Sequence, residues 1–442
     1  MIPGIFMLVY FVLMLVVGTP MAFCIGIVAL MVPALFGPAA GITFTQVADW
    51  FVTGCTGSNT GLTIVLFMVT GDVMSQGKLT ERIFNIFAYF LGKKRGVMPI
   101  LSIITCMFYC AVSGSSPATV AAVGVLCYPM LVELGYPKVF SATILVAAGC
   151  LGGCIPPSTG LTAINALTGG LDLVALFKVA AILGVSAGLM VCVYSYIYCI
   201  RHGNGNQEKI NAWVDNLRTE GFGTVFFNSI WAIVTPVLIL GSIFSGIADT
   251  VQAAALSLIY GIFVSVFIYK SIQWKDLPRI MMTSIMNAGP VLVMVAFATV
   301  FSNSLGAIGV TKALENFVVS AGWTGSTLMV GVLFFMLIGG TIGAGSSVGL
   351  LTPLVYPLMI ASGADPFLGC ASMTLMQCVG GCTPPIGMAM FAMVGISGID
   401  VKKLGKALIP CVILMFLVAV VFANLPSGLF AGLIGDAYVP IP

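Results

Sequence analysis

The sequence predicts an all-α polytopic membrane protein built from two inverted repeats, each holding a re-entrant hairpin and a broken transmembrane helix. Three observations carry that prediction. Hydrophobic residues make up 60% of the 442 residues and charged residues only 7%, with a mean hydropathy of +1.14. A soluble chain cannot bury that much apolar surface, and apolar runs of about 20 residues, the length of a bilayer-crossing helix, recur throughout. Second, Ser113 to Asp172 and Ala344 to Asp400 are near-copies. Gly114-Ser115-Ser116 matches Gly345-Ser346-Ser347. Tyr128-Pro129, Gly152-Gly153-Cys154, Pro156-Pro157 and Asp172 recur at one constant offset as Tyr356-Pro357, Gly380-Gly381-Cys382, Pro384-Pro385 and Asp400. This is an internal duplication. Third, threading the spans with Met1 inside leaves only Lys178 and Lys312, of 17 basic residues, on the outer side. Lys and Arg collect in cytoplasmic loops. Because Lys178 falls outside and its repeat counterpart Lys406 inside, the repeats are inverted.

Taken in order, the N-terminus is apolar from Ile2 and lacks a basic leader and cleavage site, so Met1 to Val32 reads as a retained span with a break at Gly18-Thr19-Pro20. Gly37 to Asn59 is a polar stretch without Lys or Arg. A second span covers Leu62 to Ser75, with Asp72 near its cytoplasmic end, and Lys78 to Arg95 reads as an amphipathic interfacial helix. Residues 97–132 form the first hairpin: each arm is too short to cross a ~30 Å core, and Ser-Gly-Ser-Ser marks the tip. Residues 139–170 are a helix interrupted by GGCIPPS, and a span over 177–200 closes the first half, 1–200. A polar cytoplasmic linker, 201–220, separates it from the second half, 221–442. That half has spans near 226–246, 252–269 and 283–304, a hairpin over 326–360, a helix over 367–398 broken by GGCTPPI, and a last span near 405–424. Asp172 and Asp400 sit where they would cap the helices that follow. The 13 cysteines lie mostly in apolar runs without a CxxC pair and read as small packing residues; Cys150/Cys154 and Cys378/Cys382 share i,i+4 spacing at duplicated positions.

The duplicated motifs suggest the chemistry. Irregular backbone survives at membrane depth only where it lines a polar site. The proline pairs remove backbone donors, and the glycines let backbone approach a ligand closely. Freed carbonyls with Ser or Thr hydroxyls would cage a hard cation, and half-helix N-termini favour an anion. No Asp or Glu lies within these motifs. Proton coupling wants a titratable intramembrane group, so Na+ is the expected coupling ion. An intramembrane enzyme is disfavoured: there is no HExxH, and the single histidine, His202, lies in a polar segment.

These residues resemble a known family. VGTPMAF, FMVTGDVMSQGKLTERI, SGSSPATVAAVG, GGCIPPS, WAIVTPVLILGSIFSGI and GGCTPPIGMAMF together resemble the large membrane (M, or DctM-like) subunit of tripartite ATP-independent periplasmic (TRAP) transporters, over essentially the whole chain. The resemblance implies an elevator-type permease of the wider ion-transporter fold in the inner membrane of a bacterium or archaeon, with a cytoplasmic N-terminus and a periplasmic C-terminus. It implies import of a small organic anion handed over by a periplasmic binding protein, with a small Q membrane subunit, expected as a separate chain because little precedes Ile5. Na+ is the only cofactor-like species implied, and nucleic acid is not a partner. One sodium site would use Ser113, Ser116, Gly152, Ile155 and Pro156. The other would use Gly380, Thr383, Ile386 and a glycine before the second tip, Gly339 or Gly340, with Gly340 preferred. Ser115, Ser158, Ser346 and Ser347 are the expected substrate contacts. The chain departs from the family pattern at Asp249–Gln252, at Gly343–Ser347 and at Ser158-Thr159-Gly160, all near the expected substrate path. A stand-alone carrier or exporter of the same wider fold is the alternative.

Overall fold

The computed structural model describes residues 21–434, apart from residues 58, 59, 78, 170, 204, 324, 343, 385 and 386. Described residues are helical or irregular, with no strand among them. The first half comprises α1 (Met21–Ala40), α2 (Phe44–Thr56), α3 (Thr60–Gln76), α4 (Leu79–Leu91), α5 (Val97–Ser113), α6 (Ser116–Glu133), α7 (Lys138–Gly149), α8 (Thr159–Leu167) and α9 (Leu173–His202). After α10 (Gln207–Thr219) come α11 (Phe222–Phe244), α12 (Thr250–Phe263), α13 (Leu277–Ala307), α14 (Val310–Ser320), α15 (Gly325–Ile342), α16 (Ala344–Ala361), α17 (Pro366–Gly380), α18 (Met388–Ser397) and α19 (Val401–Ala423). The hairpins are therefore α5–α6 and α15–α16, and the broken helices α7–α8 and α17–α18. The break expected at Gly18-Thr19-Pro20 lies outside the described residues.

Both repeats end alike. The Asp172 carboxylate accepts from the N–H groups of Val174 and Ala175, and that of Asp400 from Lys402 and Lys403. Each thus satisfies two of the orphan donors that open a helix. Asp365 does the same for α17 through Phe367 and Leu368. Where the chain departs from the family pattern at 249–252, Asp249 accepts from Gln252 N–H at 2.8 Å while Asp249 N–H donates to Gln252 Oε1 at 3.1 Å. This capping box opens α12, so the departure is one of helix-start chemistry. Asp249→Ala should cost about 1 kcal/mol, checked as a lower melting temperature in detergent with unchanged substrate uptake.

Three segments are more ordered than their polarity suggests. The stretch 37–59 contains α2, opened by a Thr43–Gln46 capping box. The linker forms α10, capped by Asn206. It docks on α4 through Trp213 against Phe84 at 5.9 Å, Lys93 to Asp215 at 2.5 Å, and Arg218 donating to the Tyr89 carbonyl. In the second repeat α14 takes the place that α4 has in the first. Asp72 is half-buried and ties α3 to α13, its carboxylate accepting from Ser284 Oγ at 2.6 Å.

Candidate functional site

The site lies where the two broken helices cross. In the first repeat, α5 ends on Gly114, whose φ of 59° is left-handed, a conformation that suits only glycine comfortably and turns the chain back into α6. Pro117 then falls in the first turn of α6, where its missing N–H costs nothing. The tip seats on the break of α7. Thr159 Oγ1 donates to the Gly114 carbonyl at 3.2 Å, and Ser116 Oγ donates to the Cys150 carbonyl at 2.9 Å. Ser113 Oγ pairs with Thr119 Oγ1 at 2.8 Å.

The break begins as one 3-10 turn, Cys150–Gly153, and continues irregularly to Ser158. The Pro156–Pro157 peptide is cis. A side chain on Gly152 would lie 2.9 Å from both the Ser115 carbonyl oxygen and Thr119 Oγ1, so glycine alone admits this approach. Ile155 packs against Gly184 of α9, and Pro156 is buried. The hydroxyls of Ser113 and Ser116 on the tip and the backbone of Gly152 thus meet at the break, with Ile155 and Pro156 following in its irregular stretch. Ser115 is half-buried beside them. Ser158 is fully buried, and its hydroxyl accepts from Leu161 N–H while donating to the Gly153 carbonyl; it is the N-cap of α8.

The second repeat builds its counterpart from α15 and α17. Gly340 packs directly on the Gln377 carbonyl, and a side chain on Gly380 would lie 2.5 Å from Gly340 Cα and from the Leu337 carbonyl oxygen. The chain breaks after Gly380, where Thr383 Oγ1 donates to the Gly380 carbonyl at 2.8 Å. The first amides of α18, Ala389 and Met390, reach back to the Gly381 carbonyl. Gly340, Gly380 and Thr383 are thus assembled; Ile386 and the side chains of Ser346 and Ser347 lie outside the described residues.

The two breaks touch. Gly153 lies against Cys378, and Gly160 against Thr374. Cys150 and Cys382 are joined by a disulfide, with Cα atoms 6.7 Å apart. This corrects the expectation that the cysteines are packing residues only. The bridge joins the first cysteine of one repeat to the second of the other, a pairing that equivalence between repeats does not reveal. Cys110, Cys154 and Cys378 nearby are buried thiols. Sequence reasoning missed Thr119, Thr159 and Gly71, whose added side chain would lie 2.9 Å from Ser113 Cα. A hydroxyl one turn after Ser116 and another just past the proline pair were the available signals.

Hydroxyl and carbonyl oxygens without an acidic side chain are the kind of donor set that suits a monovalent hard cation. A hydroxyl that donates its proton to a carbonyl keeps its lone pairs for an ion, and Ser116 and Thr383 are both in that state. Neutral oxygens held by a rigid break can replace an ion's hydration shell without an acidic ligand.

Comparison with known proteins agrees with this geometry. The family model described as "Tripartite ATP-independent periplasmic transporter, DctM component" matches residues 8–427. The chain is 31% identical over 425 residues to the isethionate TRAP transporter permease protein DctMQ of Oleidesulfovibrio alaskensis; the match covers 95% of this chain and 64% of that protein's length. It is 28% identical to the C4-dicarboxylate TRAP transporter large permease protein DctM of Rhodobacter capsulatus, over 85% of this chain and 87% of that one. In fold it matches the Alcanivorax borkumensis YdaH transporter, whose crystal structure was reported to reveal an unusual topology. The TM-score is 0.59 at 12% identity, covering 90% of this chain and 89% of that one. The broken helices, the glycine turn of the first tip and the match over nearly the full length lead to one statement: the chain belongs to the DctM component family of TRAP transporters, as a large permease subunit.

Proposed function

We propose that this chain is the permease subunit of a Na+-coupled importer of small organic anions, working with a small Q subunit and a periplasmic binding protein. The observation that supports it most is the pair of oxygen-lined breaks, the first seated under its hairpin tip, and neither break motif containing an ionisable Asp, Glu, Lys, Arg or His. Na+ at the breaks orders the tips and supplies the positive charge that holds the substrate's anionic group; the tip and break motifs themselves contain no Lys or Arg for that purpose. The duplicated core then moves as a body against a scaffold of the spans near 3–33 and 226–269, in an elevator cycle. The relatives' names favour the substrate class: isethionate is a sulfonate and C4-dicarboxylates are carboxylates, both small organic anions.

The test is uptake of labelled sulfonates and carboxylates into proteoliposomes, with and without an inward Na+ gradient, and with and without the Q subunit and binding protein. Uptake that requires Na+ and the full set is expected. Uptake by this chain alone would replace the tripartite reading with that of a self-sufficient carrier. Asp72 provides an internal control, because it is the acidic group next to Gly71 and hence beside the first tip. Asp72→Asn should leave uptake Na+-driven; a pH gradient that drives full uptake in the wild type but not in D72N would shift the coupling to protons.

A further inference from the structure

Gln377 is one of several buried polar side chains of the core with an unpaired atom, Asn165 and Ser372 among them, and the one whose backbone packs against the second break. It lies in the last turn of α17 before the break, its side chain is 1% exposed, and its amide oxygen Oε1 has no hydrogen-bond partner. Buried polar atoms are nearly always paired, and an orphan in a native protein calls for an ion, a water or a ligand to complete it. The neighbourhood narrows the choice. Gly340 packs on the Gln377 Cα and carbonyl, and Gly380, one turn further along α17, packs on Gly340. The backbone of Gln377 therefore belongs to the same crossing of α15 and α17 that carries the second oxygen-lined break, one turn before Gly380.

The repeat sharpens the point. At the constant offset relating the two breaks, Gln377 corresponds to Gly149, which packs on Val120 and has no side chain to offer. The first break instead gathers several hydroxyls: Ser113, Ser116, Thr119 and Thr159. Among the described residues of the second break, Thr383 donates its hydroxyl to the Gly380 carbonyl. An amide carbonyl is a neutral, hard oxygen donor, the kind that suits a desolvated monovalent cation.

We propose that the Gln377 side-chain oxygen is a ligand of the second cation site, alongside Gly340, Gly380 and Thr383. The assignment rests on the Na+-coupled reading above. It adds to the second site a carboxamide oxygen where the counterpart position in the first, Gly149, has no side chain.

The experiment uses the full chain in nanodiscs, titrated with NaCl against choline chloride, and reads the Na+ concentration for half-maximal rise in melting temperature. A parallel series reads Na+ dependence of uptake in proteoliposomes. Gln377→Met keeps length and burial but removes the oxygen. It should raise the Na+ midpoint about tenfold or more, the loss expected for removing a metal-site partner, while substrate half-saturation at saturating Na+ stays within about twofold. Gln377→Glu keeps an oxygen and adds charge, so its Na+ midpoint should fall on raising the pH from 5.5 to 8. A wild type that responds to Na+ and a Q377M midpoint equal to it would overturn the assignment and leave Oε1 to a water. If Q377M does not fold, a pH-independent Na+ midpoint in Q377E overturns it equally. A wild type with no Na+ response in either readout removes the coupling-ion reading itself, a result separable from the others because it appears before any substitution.

Discussion

Gly380→Ala is expected to reduce uptake to about one-hundredth of wild type or less, the loss that follows when site atoms are displaced by about 1 Å. The added methyl would sit 2.5 Å from Gly340 Cα and from the Leu337 carbonyl oxygen. Both obstacles are backbone, so no side chain can swing aside. α15 must move off α17, and the Gly340–Gly380 contact that shapes the second break is lost. Overpacking of this kind also costs about 1–3 kcal/mol of stability, so the melting temperature should fall by several degrees while the chain remains helical by circular dichroism. Gly395→Ala is the matched control. It lies on α18, the other half of the same broken helix, with nothing within 4 Å of the added methyl. There the substitution should stabilise by about 0.5–1 kcal/mol through helix propensity and leave uptake unchanged. Equal uptake in G380A and G395A would show that the close crossing is not needed for transport.

The contrast between these two glycines shows what sequence could and could not reveal. The elements themselves were legible: hydropathy placed the long helices, and the arms at 97–132 and 326–360, short for a bilayer crossing and joined by small polar residues, pointed to the hairpins. The breaks were legible because GGCIPPS and GGCTPPI stop helices by chemistry that needs no tertiary context. The polar helices α2 and α10 were hidden, since their hydrophobic faces are narrow and their order comes from caps and from docking, as Trp213 on Phe84 and Arg218 on Tyr89 show. The duplication established which residues are equivalent, not which touch. Gly153 against Cys378, Gly160 against Thr374 and the Cys150–Cys382 bridge all join non-equivalent positions. Gln377 escaped notice for a related reason: inside an apolar helix, one amide reads as a tolerated polar residue until its lack of a partner is seen in three dimensions.

Replacing Ser116 with alanine is expected to raise the Na+ concentration for half-maximal uptake about tenfold or more, and Thr383→Ala should do the same from the other repeat. Each hydroxyl now donates to a carbonyl, Ser116 to Cys150 at 2.9 Å and Thr383 to Gly380 at 2.8 Å. Alanine removes the proposed ion ligand and one donor to that carbonyl, a typical net loss of about 0.5–1.5 kcal/mol; the Gly380 carbonyl keeps the Thr383 N–H at 2.9 Å. The two effects separate in the conservative series. Thr383→Ser keeps the oxygen and should remain near wild type, whereas Thr383→Val keeps the shape, loses the oxygen, and should match Thr383→Ala. Ser186 on α9 also donates to a carbonyl one turn back, that of Ile182, but on an exposed face; Ser186→Ala should leave the Na+ midpoint unmoved. The two sites touch through the crossed breaks, so the S116A/T383A double variant tests whether they act as one unit. Groups that share a network deviate from additivity by about 0.5–3 kcal/mol, and a midpoint shift smaller than the product of the single shifts would reveal ions that bind as a coupled pair. If Na+ stimulates uptake equally in wild type, S116A and T383A, these hydroxyls are not ligands, and the oxygen-lined breaks hold the tips without holding the ion.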